Sequence, residues 1–229
     1  MRIGIIGLGK TGSIVAESVS ADSALEVAFV ITGTRTDQLY GYPVGTAEDL
    51  DKFVSLYAPD VFLDFSVPEA TLEIVPRLPK GTAIVIGTTG FTPLEVEMLK
   101  SMRDKLRILF APNISDGINM LMGACKYIRD HWPKADVVIT EEHFKGKKDA
   151  PSGTAQAIGN LFQRDISYNV VRAGGIVGVH EVKFVTDNQM ITIKHTSFSR
   201  EVFAEASKRA VAWIVDKELG FYEIAQMYE

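Results

Sequence analysis

The chain has 229 residues, 46% hydrophobic and 23% charged, which is the composition of an ordinary soluble globular protein. Its net charge of -5 disfavours a general nucleic-acid binder, because no basic excess is available to neutralise phosphates. The single cysteine, Cys125, excludes an intramolecular disulfide and a cysteine-rich metal site, and its apolar helical surroundings predict a buried thiol. No apolar run approaches the ~20 residues that span a bilayer. We therefore expect a soluble, cytoplasmic protein with no metal, no nucleic-acid partner and no membrane association.

Short apolar runs alternate with amphipathic stretches in the first half of the chain. The predicted strands are Arg2–Ile6, Leu25–Ile31, Val61–Phe65, Ala83–Ile86 and Ile108–Ala111. The predicted helices lie between them, near Thr11–Ser20, Thr46–Leu56, Pro68–Leu78 and Pro93–Arg103. Strands separated by helices indicate βαβ units, and hence a parallel sheet with helices on both faces.

The regular alternation of strands and helices ends after Asn113. The predicted elements are a helix over Gly117–His131, a strand over Asp136–Glu141, a helix over Thr154–Gln163, and an antiparallel hairpin of His180–Thr186 with Met190–Thr196. A final helix is predicted over Ser199–Lys217, with Ser199 as its N-cap. The fold class is thus α/β: a Rossmann-like parallel-sheet domain over residues 1–114, then an α+β domain over residues 115–199. We expect the C-terminal helix, within about 200–229, to pack back on the first domain.

A glycine-rich turn follows the first predicted strand. The stretch Gly7-Leu8-Gly9-Lys10-Thr11-Gly12 reads G-x-G-x-x-G between a strand and a helix. In dinucleotide sites the first glycine permits the tight turn, the second lets the backbone approach a pyrophosphate, and the third allows close helix–strand packing. Helix-start N–H groups and Lys10 would hold the phosphates. The turn predicts dinucleotide binding; the alternative is that these glycines only shape a tight turn.

The end of the second predicted strand bears on the choice of cofactor. Sites for NAD usually place an acid ~20 residues beyond the glycines to hold the ribose 2′-hydroxyl. The stretch Phe29–Arg35 contains no acid and offers threonine hydroxyls and the Arg35 guanidinium, which suit a 2′-phosphate. We therefore predict NADPH in preference to NADH. The alternative is that Arg35 is a solvated loop cation.

The stretch Glu142–Ala155 carries the second set of candidate functional residues. His143 lies beside three lysines, and Pro151 then stops the chain before a Ser152-Gly153 turn and a helix from Thr154. This combination supplies a proton donor, positive charge and helix-start N–H groups, which suit a small dianionic substrate that is protonated as it reacts. The neighbouring lysines are predicted to lower the pKa of His143. Alternatively, His143 and the lysines form a solvated surface. We assign no role to His131, His180 or His195.

Several motifs together resemble those of one known family. They are Lys147-Lys148-Asp149-Ala150-Pro151-Ser152-Gly153-Thr154-Ala155 with His143 before it, Asp64-Phe65-Ser66-Val67-Pro68-Glu69-Ala70, Gly87-Thr88-Thr89-Gly90-Phe91, Asn113-Ile114-Ser115-Asp116-Gly117 and Arg172-Ala173-Gly174-Gly175. In this order and over the whole chain, they are similar to the 4-hydroxy-tetrahydrodipicolinate reductase family, an oxidoreductase family of lysine and diaminopimelate biosynthesis.

The resemblance implies a role for each set of residues. His143 would be the proton donor, assisted by Lys147, and Gly153 and Thr154 would bind a substrate carboxylate beside Ser152. The residues from Gly7 to Gly12 would hold the pyrophosphate, and the nicotinamide pocket would be lined by Gly87, Thr88, Thr89, Ala111, Pro112, Asn113 and Ile114. The family usually forms homotetramers through sheets of the second domain, which would bind substrate and mediate self-association.

Three features depart from the family pattern. Phe144 stands where a second, substrate-contacting histidine is common, and Thr11 stands where methionine is common in a glycine turn that is one residue longer. The acid after the second strand is missing, although family members often accept either cofactor. Two other hypotheses compete with the reductase: a different two-domain NAD(P)-dependent dehydrogenase, and a regulator that binds NADP without turnover.

Overall fold

The structure is a computed structural model that describes residues 1–33 and 41–229. It comprises two compact units: unit 1 contains Met1–Ile114 and Phe203–Glu229, and unit 2 contains Ser115–Val202. Arg35, the predicted ligand of a 2′-phosphate, lies outside the described residues.

Unit 1 begins with alternating strands and helices. They are β1 (Arg2–Ile6), α1 (Lys10–Ser20), β2 (Glu26–Ile31), β3 (Val44–Gly45), α2 (Leu50–Tyr57), β4 (Val61–Asp64), α3 (Pro68–Ile74), β5 (Ala83–Ile86), α4 (Pro93–Lys100) and β6 (Arg107–Phe110). Unit 2 follows with α5 (Asp116–His131), β7 (Asp136–His143), α6 (Gly153–Asn160), β8 (Ser167–Arg172), β9 (Gly178–Thr186) and β10 (Gln189–Ser197). The chain then forms α7 (Glu201–Ile214) and β11 (Gly220–Glu223).

The strands of unit 1 form one sheet in the order β11-β6-β5-β4-β1-β2-β3, with every pair parallel. This confirms the predicted Rossmann-like class. One face packs against apolar residues of α1 and α7, such as Val15 and Ala210, and the other against Leu50, Phe53 and Leu99. Because the central strands are buried on both faces, their sequences are continuous apolar runs rather than alternating ones.

The C-terminal segment differs from its prediction. The final helix is shorter than Ser199–Lys217: it begins at Glu201, whose N–H donates to Ser199 Oγ at 3.2 Å, and ends at Ile214. A further strand, β11, follows and pairs in parallel with β6 at the sheet edge. Gly220 and the aromatic pair after it favour a strand over a helix, because glycine destabilises a helix interior and aromatic residues suit a pleated surface.

Unit 2 contains a four-stranded sheet in the order β10-β9-β7-β8. The predicted hairpin of β9 and β10 is confirmed, while β8 was missed, and β7 extends to His143 rather than ending at Glu141. Apolar side chains of α5 and α6, including Cys125 and Ile158, form a core with Ile139 and Phe184 of the sheet. The predicted burial of the Cys125 thiol is confirmed.

Within residues 1–33 and 41–229, no helix combines the length and the apolar character needed to traverse a lipid bilayer.

Candidate active site

The glycine turn has the geometry that its spacing predicts. Gly7 follows β1 with φ +93, and a Cβ there would lie 2.5 Å from the Phe65 carbonyl oxygen. A Cβ on Gly12 would lie 2.1 Å from the carbonyl oxygen of Gly7. Both positions therefore require glycine, whereas a Cβ on Gly9 would meet nothing within 4 Å. The backbone at Gly9 is thus open to close approach by a ligand, as a pyrophosphate site requires.

A cleft of about 630 Å³ adjoins this turn. It lies at the carboxyl ends of β1, β2 and β4, where the strand order reverses, which is where open α/β sheets bind their ligands. Gly7, Leu8 and Gly9 line it, and so do Glu48 and Glu73. The first turn of α1 contains no acid, so its N–H groups present an uncompensated positive end to an anion. The residues present therefore fit a dinucleotide.

The other predicted cofactor residues of unit 1 lie along the same sheet edge. The hydrogen-bond ladder continues one residue past the strands. The N–H groups of Phe65, Gly87 and Ala111 each donate, at 2.8 Å, to the carbonyl oxygen of the last residue of the adjacent strand. Thr88 is buried, and its Oγ1 accepts a hydrogen bond from the Ser66 N–H at 2.9 Å. Its side chain therefore shapes the Ser66 loop. The remaining predicted residues vary in exposure: Thr89 and Pro112 are exposed, Lys10 is exposed, Thr11 and Asn113 are half-buried, and Ile114 is buried.

Asp64 organises the loop beside the cleft and was not singled out as a site residue. Its buried carboxylate accepts hydrogen bonds from Thr71 Oγ1 at 2.5 Å and from Ser66 Oγ at 2.5 Å and N–H at 3.0 Å. Burial raises the pKa of Asp64 despite these donors. The loop that lines the cleft is thus fixed by a buried carboxyl group.

In unit 2, His143 is the buried last residue of β7 and belongs to a hydrogen-bonded network. Its Nδ1 is paired with Oε2 of Glu141, whose side chain has no exposed surface. The other carboxylate oxygen, Oε1, accepts from Arg172 Nη2 at 2.6 Å and from the Ser152 N–H at 3.1 Å. His143 and Ser152 were among the predicted site residues, whereas Glu141 and Arg172 were not.

Strand register explains why these side chains meet. Glu141 and His143 are two residues apart on β7, so they share the face that also buries Ile139. On the neighbouring strands His180 pairs with Glu141 and Arg172 pairs with His143. The rings of His180 and His143 have centroids 5.2 Å apart, and His180 Nε2 lies 3.3 Å from Ser152 Oγ. His180, to which we assigned no role, is therefore part of the network.

The pKa values in this network have several causes. Burial is the main reason that the pKa of His143 is lowered; Glu141 opposes it, while Lys147 and Arg172 add to it. The lysine effect was therefore predicted in the right direction, but burial is larger. Burial acts to raise the pKa of Glu141, but hydrogen bonds from Arg172 and His143 outweigh this effect, so the pKa is lowered. Glu141 is thus an anion, and burial lowers the pKa of His180 to about 4.

The turn before α6 differs in one respect from its predicted use. Ser152 caps the helix, its Oγ accepting from the Ala155 N–H at 3.2 Å, while its own N–H is committed to Glu141. Gly153 is open, since a Cβ there would meet nothing within 4 Å. Lys147 Nζ lies 2.8 Å from Asp149 Oδ1, so its charge is held next to this turn.

Glu141, His143 and His180 each offer a donor atom, and these atoms lie within 4.8 Å of one another. That spacing alone would suit a metal ion. However, the two oxygens of Glu141 already accept from a guanidinium, an imidazole and a backbone N–H. A cation there would have to displace the guanidinium, so the arrangement is an ion-pair network.

A Rossmann-type unit with an open glycine turn, followed by an α+β unit with a buried histidine–carboxylate pair, defines a two-unit NAD(P)-dependent oxidoreductase. Residues 1–114 match the family described as "Dihydrodipicolinate reductase, N-terminus", and residues 117–228 match "Dihydrodipicolinate reductase, C-terminus". The chain belongs to the dihydrodipicolinate reductase family, also called 4-hydroxy-tetrahydrodipicolinate reductase.

Individual relatives agree with the family match. The 4-hydroxy-tetrahydrodipicolinate reductase of Thermosipho africanus is 33% identical, over 97% of this chain and 95% of its own. That of Methanospirillum hungatei is 31% identical, over 93% and 92%. Among solved structures, a dipicolinate-bound dihydrodipicolinate reductase from Paenisporosarcina sp. TG-14 has a TM-score of 0.79 at 23% identity, covering 97% of both chains. This structural similarity shows that the two chains share a fold.

Proposed function

We propose that this chain reduces 4-hydroxy-tetrahydrodipicolinate to tetrahydrodipicolinate with NADPH or NADH, in lysine and diaminopimelate biosynthesis. The whole-length family match carries the proposal. The Paenisporosarcina relative binds dipicolinate, a small dicarboxylate, which supports a dianionic substrate for this chain as well. The open glycine turn and the His143 network supply the two chemical functions that such a reduction needs.

The proposed roles rest on the family resemblance, and contacts within each unit support them. A bound NADPH or NADH would supply the hydride, and residues Gly7 to Gly12 would hold its pyrophosphate. His143 delivers the proton from Nε2, because Nδ1 is engaged with Glu141. Lys147 stabilises the negative charge that develops as hydride arrives. The start of α6, at Gly153 and Thr154, holds one substrate carboxylate, as helix N-termini do for anions.

Turnover tests the assignment directly. The purified chain should oxidise NADPH or NADH when freshly generated 4-hydroxy-tetrahydrodipicolinate is supplied. His143→Gln should lower kcat by roughly 10²–10⁴-fold with cofactor affinity retained. His131→Gln, an exposed histidine on α5, is the matched control and should leave kcat unchanged. Absence of turnover with both cofactors would defeat the assignment. Cofactor binding without any turnover would favour an NADP-binding regulator instead.

The preference for NADPH remains our proposal for the cofactor, and it depends on Arg35. One structural observation favours NADH instead: the charged residues among the described cleft lining are acidic, Glu48 and Glu73, and a nearby carboxylate repels a 2′-phosphate. Paired variants separate the two. If NADPH is preferred, Arg35→Ala should raise KM for NADPH and spare NADH. If Glu48 instead determines a preference for NADH, Glu48→Gln should lower KM for NADPH and raise KM for NADH.

We further propose a homotetramer in the cytoplasm. The sheet of unit 2 supports self-association, because the side of β7 opposite its core carries half-buried residues such as Val138 and Thr140 rather than a fully solvated face. On β9 and β10 the same face contains the ion pairs of Glu181 with Lys183 and Lys194. Sedimentation equilibrium gives the mass of the assembly, and a monomer at micromolar concentration would refute the tetramer.

A further inference from the structure

Glu141 is a charged group of unit 2 that connects several elements. Its carboxylate is fully buried and accepts from three different elements: the His143 imidazole on β7, the Arg172 guanidinium on β8 and the Ser152 N–H before α6. Burying a carboxylate is costly unless it is paired and hydrogen-bonded, and here it is both.

The hydrogen bond to Nδ1 determines how His143 can carry a proton. A carboxylate only accepts, so Nδ1 must keep its hydrogen in both charge states of the ring. Nε2 is then the nitrogen that gains and loses a proton. A Cβ placed on Gly178 would lie 3.4 Å from Nε2, so glycine at that position leaves space beside the reactive nitrogen.

We propose that Glu141 is a positioning residue that fixes the tautomer and orientation of His143, stabilises its imidazolium form, and joins it to the turn that starts α6. The proposal rests on the proposed function, in which His143 delivers a proton. When that proton leaves Nε2, the imidazolium becomes the neutral ring with hydrogen on Nδ1, and no proton passes to Glu141. The logic is that of the carboxylate in a Ser-His-Asp triad, without a serine nucleophile.

Arg172 and Ser152 complete the arrangement. Arg172 keeps the buried carboxylate ionised, which it must be to stabilise a cation. The Ser152 N–H holds the residue immediately before Gly153 against Oε1, 3.1 Å away. One carboxylate thus sets the geometry of both the proton donor and the proposed substrate-carboxylate turn, so a shift of Glu141 would disturb both.

The charged and titratable groups facing His143 set the expected direction of its titration. They are Glu141 on its own strand, Arg172 on β8, Lys147 in the following loop, and His180 on β9, whose pKa of about 4 leaves it neutral near pH 7. Glu141 is the anion among them. Its neutralisation in Glu141→Gln should therefore lower the pKa of His143 by ~1–3, the usual effect of one adjacent opposite charge.

The test combines NMR with kinetics. ¹⁵N-histidine spectra of the ligand-free full chain, assigned with His143→Gln, report the tautomer and pKa of His143 without any turnover. Wild-type His143 should carry its neutral-state proton on Nδ1. In Glu141→Gln the pKa should fall as above, kcat should fall by ~10²-fold or more, and the alkaline decline of kcat/KM should move to lower pH. Glu142→Gln, half-buried on the opposite face of β7, is the matched control and should leave all three unchanged.

Each outcome decides a specific point. A neutral His143 protonated on Nε2, or a His143 pKa unaffected by Glu141→Gln, overturns the positioning role. If the wild type turns over and Glu141→Gln has the same rates and pH profile, the positioning role is also overturned, while the reductase assignment stands. No turnover by the wild type, with the Nδ1 proton in place, refutes the reductase assignment and not the hydrogen bond. If Glu141→Gln fails to fold, the wild-type tautomer and the kinetics of Glu141→Asp, which retains the charge, decide instead.

Discussion

Acidification should destabilise this protein partly through one buried histidine. Burial, and next the charge of His143, lower the pKa of His180 from 6.5 to about 4, with Glu141 opposing. In the unfolded chain His180 binds a proton below about 6.5. In the folded chain it does so only below about 4. Between these values the unfolded state binds more protons, so stability is present above the higher pKa and is lost as pH falls. The difference corresponds to about 3 kcal/mol of unfolding free energy.

The assay is urea unfolding of the wild type and of His180→Gln at pH 7.5 and pH 4. Other groups also titrate in this range, so the informative quantity is the difference between the two proteins. The wild type should lose about 2–3 kcal/mol more than the variant on acidification. His131→Gln controls for removal of any histidine, since His131 is exposed, and it should follow the wild type. Equal losses in the wild type and His180→Gln would show that His180 is not held neutral by the fold.

Three further outcomes follow from packing. Gly7→Ala should weaken dinucleotide binding by at least ~10-fold in calorimetry, because the new Cβ would lie 2.5 Å from the Phe65 carbonyl oxygen and Gly7 has φ +93. Gly41→Ala is the control: Gly41 also has a positive φ, but its Cβ would meet open space, so binding should be unchanged. Gly159→Ala should lower the free energy of unfolding by ~1–3 kcal/mol, since its Cβ would clash with the Tyr168 hydroxyl, 1.8 Å away. Adding Tyr168→Phe removes that hydroxyl and should restore part of the lost stability. If it restores none, the strain lies elsewhere. Burial raises the pKa of the Cys125 thiol to about 12, so a thiol reagent at pH 8 should react only after denaturation, and rapid labelling of the native chain would contradict this.

The alternation of apolar runs with amphipathic stretches was sufficient to predict the parallel sheet of unit 1, because buried strands and amphipathic helices leave strong sequence patterns, as in β1 and α1. It was not sufficient for β3, β8 and β11. β3 has two residues, and the burial of β8 does not alternate, so neither carries a period-2 signal. β11 owes its structure to pairing with β6, an interaction more than a hundred residues away in sequence.

In the candidate site too, contacts between residues close in sequence could be predicted, whereas contacts between distant residues could not. The Glu141-x-His143 spacing was readable, since residues two apart on a strand share a face, and it would have indicated the buried carboxylate. Predicting the end of β7 at Glu141 concealed that relation, because it placed His143 in a loop. Arg172 and His180 join the network through strand register, which a single sequence does not specify.

The connectivity of unit 1 has a consequence for biosynthesis on the ribosome. The chain leaves this unit at Ile114 and returns at Phe203, and the returning segment supplies both α7 and the edge strand β11. Nascent residues 1–114 therefore emerge with the β6 edge unpaired and with the apolar surface that later packs α7 open to water. Protection of that surface must wait until 88 intervening residues, Ser115–Val202, have been translated. This interval is when a chaperone would have the most to bind.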